Sequence, residues 1–228
     1  MDLFRSLLGR GKGARGLLGA AAREYARRGW DVVPGVYVPG RDPAAAGCSC
    51  GDPRCAAPGA HPLDPDWQAV ASRDAERVCW WWNGPHPYNV LLPTGRSFDV
   101  WDAPAYLGGP AADYLLEAVG QAATVVAVTP TGRWLLFSAP SFGDHPVPPL
   151  GCDVSCHGEG GYVPAPPSSL GPLGRVRWHL PPAGAWLPAG ALVANVLIDA
   201  YQRATRDASA AIAGAPRVPY ARRSPAVF

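Results

Sequence analysis

YNVLLPTGRSFDVWDAP, residues 88–104, is the stretch around which the chain is organised. Asn89 to Leu92 is apolar and suited to a strand. Pro93, Thr94 and Gly95 break it. Ser97 to Asp102 then reads as a second strand, with Phe98, Val100 and Trp101 beside the carboxylates Asp99 and Asp102. Pro104 ends it, because proline has no N–H to give to a sheet. Carboxylates at a strand end can hold a divalent cation. In a regular strand, however, residues three apart point to opposite faces. Asp99 and Asp102 can therefore share an ion only through a bulge or bend; otherwise they are the solvated acids of a polar strand end.

The chain has 228 residues, of which 48% are hydrophobic, enough for one sizeable core. It carries 27 Gly and 27 Pro with no collagen-like period, so the expected class is a loop-rich α/β or α+β domain. The net charge of +2 is unevenly placed. Arginine and lysine outnumber acids at both ends, and acids dominate residues 61–117. Such basic ends suit either a polyanion or plain solvation. No apolar run reaches the length of a membrane span. The start is too interrupted by Gly and Arg for a signal peptide, which makes the cytoplasm the expected location. The expected division is a flexible basic segment over 1–16, a core domain over 17–188, a helix over 189–213 and a basic tail over 214–228. A short helix is also expected over Leu3–Leu8. With no further domain in these residues, action through partners is the expectation.

Leu17 to Arg28 has apolar residues at helical spacing, with Arg23, Arg27 and Arg28 on the wet side and Gly29 as a stop. Trp30 to Val38 reads as a strand broken near Pro34 and Gly35. Residues 48–62, CSCGDPRCAAPGAHP, bring Cys48, Cys50, Cys55 and His61 close together in sequence. Thiolates with imidazole suit tetrahedral zinc, and four protein ligands would leave no position open for catalysis. Free cysteines in a loop are the other reading. A helix follows over Asp74–Trp82, with Ser72 as its cap. Its three consecutive Trp residues, 80 to 82, cannot all face one core. At least one should line a groove, where it could stack on a nucleobase or cover a proline-rich surface.

Further on, Ala111–Gly120 reads as a helix, Thr124–Val128 and Trp134–Ser138 as a strand pair, and Val176–Leu180 as an edge strand. Cys152, Cys156 and His157 are a weaker metal candidate, since an i,i+4 pair on a strand does not converge without distortion. GxxxxGK[ST] and GxSxG are both absent, which disfavours P-loop ATPase and nucleophile-elbow chemistry.

The order of these features resembles the N-terminal domain of bifunctional DNA primase/polymerases, of the archaeo-eukaryotic primase superfamily. The resemblance rests on the basic helix, GWDVVPGVY, CSCGDPRCAAPGAHP, the WWW helix and NVLLPTG, then VVAVTPTGRWLLF and DVSCHGEGGYVPAPPS, over roughly residues 18–182. It implies an α/β primase/polymerase-like core with a small zinc-binding loop, and template-directed nucleotidyl transfer by divalent metals. It also implies an Asp-x-Asp strand, a His after the second turn and an acid before the glycine-rich strand. Asp102 matches the first Asp and Asp153 the last acid. Pro104 stands at the second Asp and Trp134 at the His. Asp99 is a nearby acid at the wrong spacing.

Nucleotidyl transfer needs several oxygen ligands around its metals. Asp102, Asp153 and Asp99 are thus the candidate catalytic residues, capable at most of weak Mg2+ or Mn2+ binding. Arg133, Arg175 and Arg177 are candidate phosphate contacts. The resulting expectation is a primase/polymerase-like, nucleic-acid-associated domain without efficient nucleotidyl transfer. Two alternatives stay open. One is an active enzyme in which a bulge unites the three acids. The other is a protein-interaction module that keeps the fold. Expected partners are single-stranded or duplex DNA, a nucleotide, or a replication or regulatory protein held through the C-terminal helix.

Overall fold

The computed structural model describes residues 14–39, 47–141 and 152–214. The expected helix at Leu3–Leu8, most of the basic first segment and nearly all of the basic tail lie outside them. Helix α1 spans Ala14–Arg27 and buries Leu18, Ala21, Ala22 and Tyr25 along one stripe. Gly29 ends it with a φ of 82°. Its N–H donates to the Ala26 carbonyl while Trp30 N–H donates to Tyr25, the paired bonds of a Schellman cap. The Trp30 ring then stacks on Tyr25 at 5.9 Å, so the stop also places an aromatic anchor in the core.

Strand β1, Val33–Gly35, is the segment where a break was expected. Its Pro34 is tolerated because β1 is at the edge of its sheet: it pairs with β2, Asn89–Pro93, on one side, and on the other meets only isolated bridges, Val32 with Ser72 and Gly35 with Pro62. Short helices α2, Trp67–Val70, and α3, Ala75–Asn83, lie between these strands in sequence. The cap of α3 is Asp74, not Ser72: the Asp74 carboxylate accepts Arg77 N–H, and the Ser72 hydroxyl accepts Asp74 N–H. β2 also pairs antiparallel with β7, Tyr162–Pro164, completing a three-stranded sheet.

The larger sheet has the order β6-β3-β5-β4-β8. It is built from β3, Asp99–Pro104; β4, Val126–Val128; β5, Arg133–Ser138; β6, Ser155–His157; and β8, Arg177–Leu180. All its pairings are antiparallel, and β8 is at an edge as expected. Its side chains alternate between two cores. Val100, Ala127, Leu135 and Phe137 join α1, α3 and the small sheet. Trp101, Ala103, Val126 and Leu136 join helix α4, Ala105–Val119, and helix α5, Gly190–Gly214.

Helix α4 begins six residues earlier than its sequence pattern indicates, running through Gly108, Gly109 and Pro110. Those three look like a breaker, yet packing reverses local propensity here. A Cβ at position 108 would lie 2.3 Å from Trp134 Cβ, so only glycine lets the helix approach β5 this closely. No helix among the described residues is long and apolar enough to cross a membrane.

This contact makes a paired prediction. Gly108→Ala should lower unfolding stability by about 1–3 kcal/mol through overpacking. Gly109→Ala, whose Cβ would meet Trp134 only at 3.8 Å, should be neutral or stabilise by up to about 1 kcal/mol. Denaturant melts of the two variants check both signs.

Candidate functional site

Two groups of chemistry-bearing side chains stand out. The first is the loop between β1 and α2. Ligand atoms of Cys48, Cys50, Cys55 and His61 all lie within 4.8 Å of one another. Cys48 Sγ is 3.7 Å from His61 Nε2, close to the edge of a tetrahedron with metal bonds of about 2.0–2.3 Å. His61 Nδ1 lies 2.9 Å from the Pro62 carbonyl, which can only accept. Nδ1 therefore carries the ring proton, and the Nε2 lone pair faces the sulfurs.

Proton sharing prepares the thiols as well. Burial alone would raise Cys48, yet the N–H groups of Cys50 and Gly59 and the Cys50 and Cys55 thiols donate to it and hold it below its ordinary value. Burial pushes Cys55 up to about 11, with the neighbouring Cys48 and Cys50 sulfurs adding to the effect. The donor set fits a Cys3His metal site.

The loop is fastened to the core by one buried amide. Asn89 Nδ2 donates to the Gly59 and Ser169 carbonyls, both at 2.8 Å, and its Oδ1 accepts Ser169 N–H. Gly59 has a φ of 77°, and a Cβ there would sit 2.9 Å from the Ser169 carbonyl.

The second group is on β3 and its neighbours. The β3–β5 register runs unbroken from Asp99↔Ser138 to Pro104↔Arg133, so the bulge that could unite Asp99 with Asp102 is absent. Asp99 points to the α4 and α5 side and is buried. Its Oδ2 accepts Ser141 N–H at 2.8 Å and the Ser141 hydroxyl at 2.5 Å, which ties down the segment after β5. Burial, reinforced by the Asp99 charge, pushes the nearby Cys156 thiol up to about 12.

Asp102 points to the other face, where Arg133 meets it. The turn Thr129–Gly132 aims this arginine, with Thr129 Oγ1 accepting Arg133 N–H and Gly132 at φ 81°. Arg133 Nε donates to Asp102 Oδ1 at 2.6 Å, and Nη1 to Asp153 Oδ2 at 2.6 Å. Its Nη2 reaches the Asp102 carbonyl at 3.2 Å and the Asp153 carbonyl at 2.9 Å. Burial disfavours the charge of Arg133, but these hydrogen bonds and the two carboxylates outweigh it and raise the guanidinium further above its ordinary value. Asp153 is held at φ 50°, the one left-handed non-glycine among the described residues. The remaining Asp102 oxygen, Oδ2, lies 3.6 Å from His157 Nε2.

The structure thus brings Asp102 and Asp153 to one guanidinium and keeps Asp99 apart. Arg133, expected at a phosphate, is an internal counter-ion. Trp134 turns to the opposite face, against Gly108, with its ring 4.6 Å from His179. It does not enter the acidic group at all. Arg175 and Arg177 are exposed and form no ion pair among the described residues. Cys152, Cys156 and His157 do not converge, because neighbouring strand residues face opposite sides: Cys156 packs with Cys152 in the α4–α5 core and His157 faces Asp102. Sequence reasoning missed His157 as a partner of Asp102. The pairing Ser155↔Asp102 places it there, and nothing in CDVSCHG marks that pairing.

A profile of the family described as "Bifunctional DNA primase/polymerase, N-terminal" matches residues 22–189. The chain belongs to this family. No curated protein matches it. The mixed α/β core is consistent with a primase/polymerase-family domain, a family whose description points to nucleic acid, and this chain adds a Cys3His cluster able to hold a metal ion.

The ion pairs within this domain should be separable by double-mutant cycles. Arg133→Ala with Asp102→Asn should show a coupling of about 1–3 kcal/mol, as expected for hydrogen bonds to a charged group. Asp153, whose side chain is 76% exposed, should couple to Arg133 by no more than about 1 kcal/mol. Urea unfolding of the single and double variants measures both.

Proposed function

We propose that this chain is a nucleic-acid-associated primase/polymerase-family domain that does not carry out efficient nucleotidyl transfer, with structural zinc in its Cys3His loop. The observation that carries this reading is the Arg133 guanidinium between Asp102 and Asp153. A guanidinium and a divalent cation compete for the same carboxylate oxygens. Two-metal chemistry needs several such oxygens at fixed distances. Here the supply is two aspartates already neutralised by arginine. Pro104, which ends β3 opposite Arg133, has no ligand atom to add. Asp99 lies on the other face, committed to Ser141. The donor set does not fit catalytic Mg2+ or Mn2+.

The Cys48, Cys50, Cys55 and His61 set does fit zinc. Bound there, the ion would cross-link the loop, and its four protein ligands would leave no position for substrate. Arg175 and Arg177, free of ion pairs among the described residues, are the arginines of the original set best placed to meet a nucleic-acid backbone. A second reading, a protein-interaction module, is favoured by α5: its side chains from Gln202 to Ala210 are largely exposed beyond the α4 contact.

With template, primer, all nucleotides and Mg2+ or Mn2+, the protein should give no product above background. Robust synthesis abolished by Asp102→Ala would overturn this. Binding to DNA in a gel shift should weaken steeply with salt; stable capture of a protein partner with no DNA binding at low salt would favour the second reading.

Metal analysis of purified protein should find about one zinc per chain. Cys55→Ser should lose that zinc and expose residues 48–61 to protease. A well-folded, metal-free protein with reduced cysteines would remove the zinc assignment.

A further inference from the structure

We propose that the aromatic hollow beside α3, with the basic hollow next to it, binds an unpaired base and the adjoining phosphate of a single-stranded nucleic acid. The proposal rests on the nucleic-acid association of the preceding section and names a site for it. The three tryptophans of α3 supply the first observation. Successive helix residues turn by about 100°, so one of three must leave the core. Trp82 goes in and donates its Nε1 proton to the Tyr88 carbonyl. Trp81 is half-buried, and Trp80 remains 76% exposed. An indole held this far into water has no structural duty that the described residues reveal.

Trp80 borders a hollow of about 560 Å³ whose other walls include Trp67, Trp81, His86 and Tyr88. This volume is in the ordinary range for a small-ligand site. Rings around Trp80 are held in place before any ligand arrives. Trp67 packs edge-on against Tyr162 at 5.3 Å, and Trp81 against Trp82 at 6.1 Å. The Arg77 guanidinium lies 5.6 Å from the Trp81 ring centroid. Aromatic faces with little hydrogen-bond specificity accept any base by stacking. Asp64 and Asn83 at the rim offer polar atoms to a base edge.

Charge decides the class of ligand. Asn83 and Gly84 also border a second hollow, of about 270 Å³, formed with Gly16, Gly19 and Arg23. Arg23 Nη1 lies 3.4 Å from where a Cβ on Gly19 would stand, so the guanidinium lies over bare backbone. The neighbouring acid, Glu24, is taken by Arg27 and Arg28, and Arg23 has no ion-pair partner among the described residues. A stacking hollow abutting an uncompensated cation matches a base joined to its phosphate. A proline-rich peptide would use the rings but leave Arg23 without a counter-charge. A duplex keeps its base faces stacked inside. None of these residues belongs to the Asp102–Arg133–Asp153 group.

The test is fluorescence anisotropy of a short labelled oligothymidylate and of a duplex of equal length, against wild type, Trp80→Ala, Trp80→Phe and Arg23→Gln. Trp80→Ala should weaken single-strand binding about tenfold, in line with one stacked base. Trp80→Phe should retain most of the affinity. Arg23→Gln should reduce the slope of log affinity against log salt by about 0.7, one phosphate contact. Duplex affinity and melting temperature should be unchanged in all three. If wild type binds the oligonucleotide and the variants bind it equally well, this site is wrong while the family reading stands. If wild type binds no nucleic acid at low salt, both fall. Binding of a proline-rich peptide that Trp80→Ala abolishes, with oligonucleotide affinity intact, also overturns the proposal.

Discussion

Strand β3 is paired on both sides and packed on both faces, and that double confinement governs everything near it. A six-residue strand between β5 and β6 has no room to slip, because a shift by one residue would exchange its two faces. Trp101 and Ala103 would then leave the α4–α5 core and Val100 would enter it. The same parity sorts the acids. Asp99 is sent to the helix side, where Ser141 satisfies one of its oxygens. Asp102 is sent to the open side with Arg133 and His157. Packing therefore fixes the electrostatics: the hydrophobic register decides which charges can meet.

Once Asp102 and Asp153 are close, their mutual repulsion must be offset. A metal or a cation from the chain can do so. Arg133 is suited to the task because its planar fork reaches two carboxylates and two carbonyls at once. The arrangement needs the left-handed Asp153 and the Thr129–Gly132 turn, so backbone conformation at two separate loops is committed to it. Asp102 and Arg133 are both largely shielded from solvent, whereas Asp153 is not. The Arg133–Asp102 bond is accordingly the stable half of the group, and Asp153 the half that water and salt can loosen.

Much of this was legible in the sequence. Feature order alone pointed to the family, and the Cys48–His61 spacing pointed to a converging ligand set. The opposite-face rule for residues three apart correctly separated Asp99 from Asp102. Other features depended on contacts distant in sequence. The sequence pattern starts α4 only at Ala111, because the close partner of Gly108, Trp134, is on another strand. Pro34 and Gly35 read as an interruption because nothing local says that β1 is a short edge strand. Arg133 read as a ligand for phosphate because the pairing that sets Asp102 beside it is visible only in the folded sheet. The WWW run carries too much aromatic surface for one helix face, and which ring turns outward depends on where α1 lies.

The two chemistries of this domain rest on different sheets. The acids hang on the five-stranded sheet, whereas the Cys3His loop and the tryptophans flank the three-stranded one. The anchors of the second group, Asn89 to Gly59 and Ser169 and Trp82 to Tyr88, involve none of the residues around Asp102. The side chains at the end of β3 therefore share no anchor with the loop or the aromatic hollow. Stacking and charge neutralisation need only rigid rings and a cation, while metal-assisted transfer needs every oxygen in place. On the proposed reading, neutralisation by Arg133 bears on the more demanding chemistry, while the rings and Arg23 that binding would use stand apart from it.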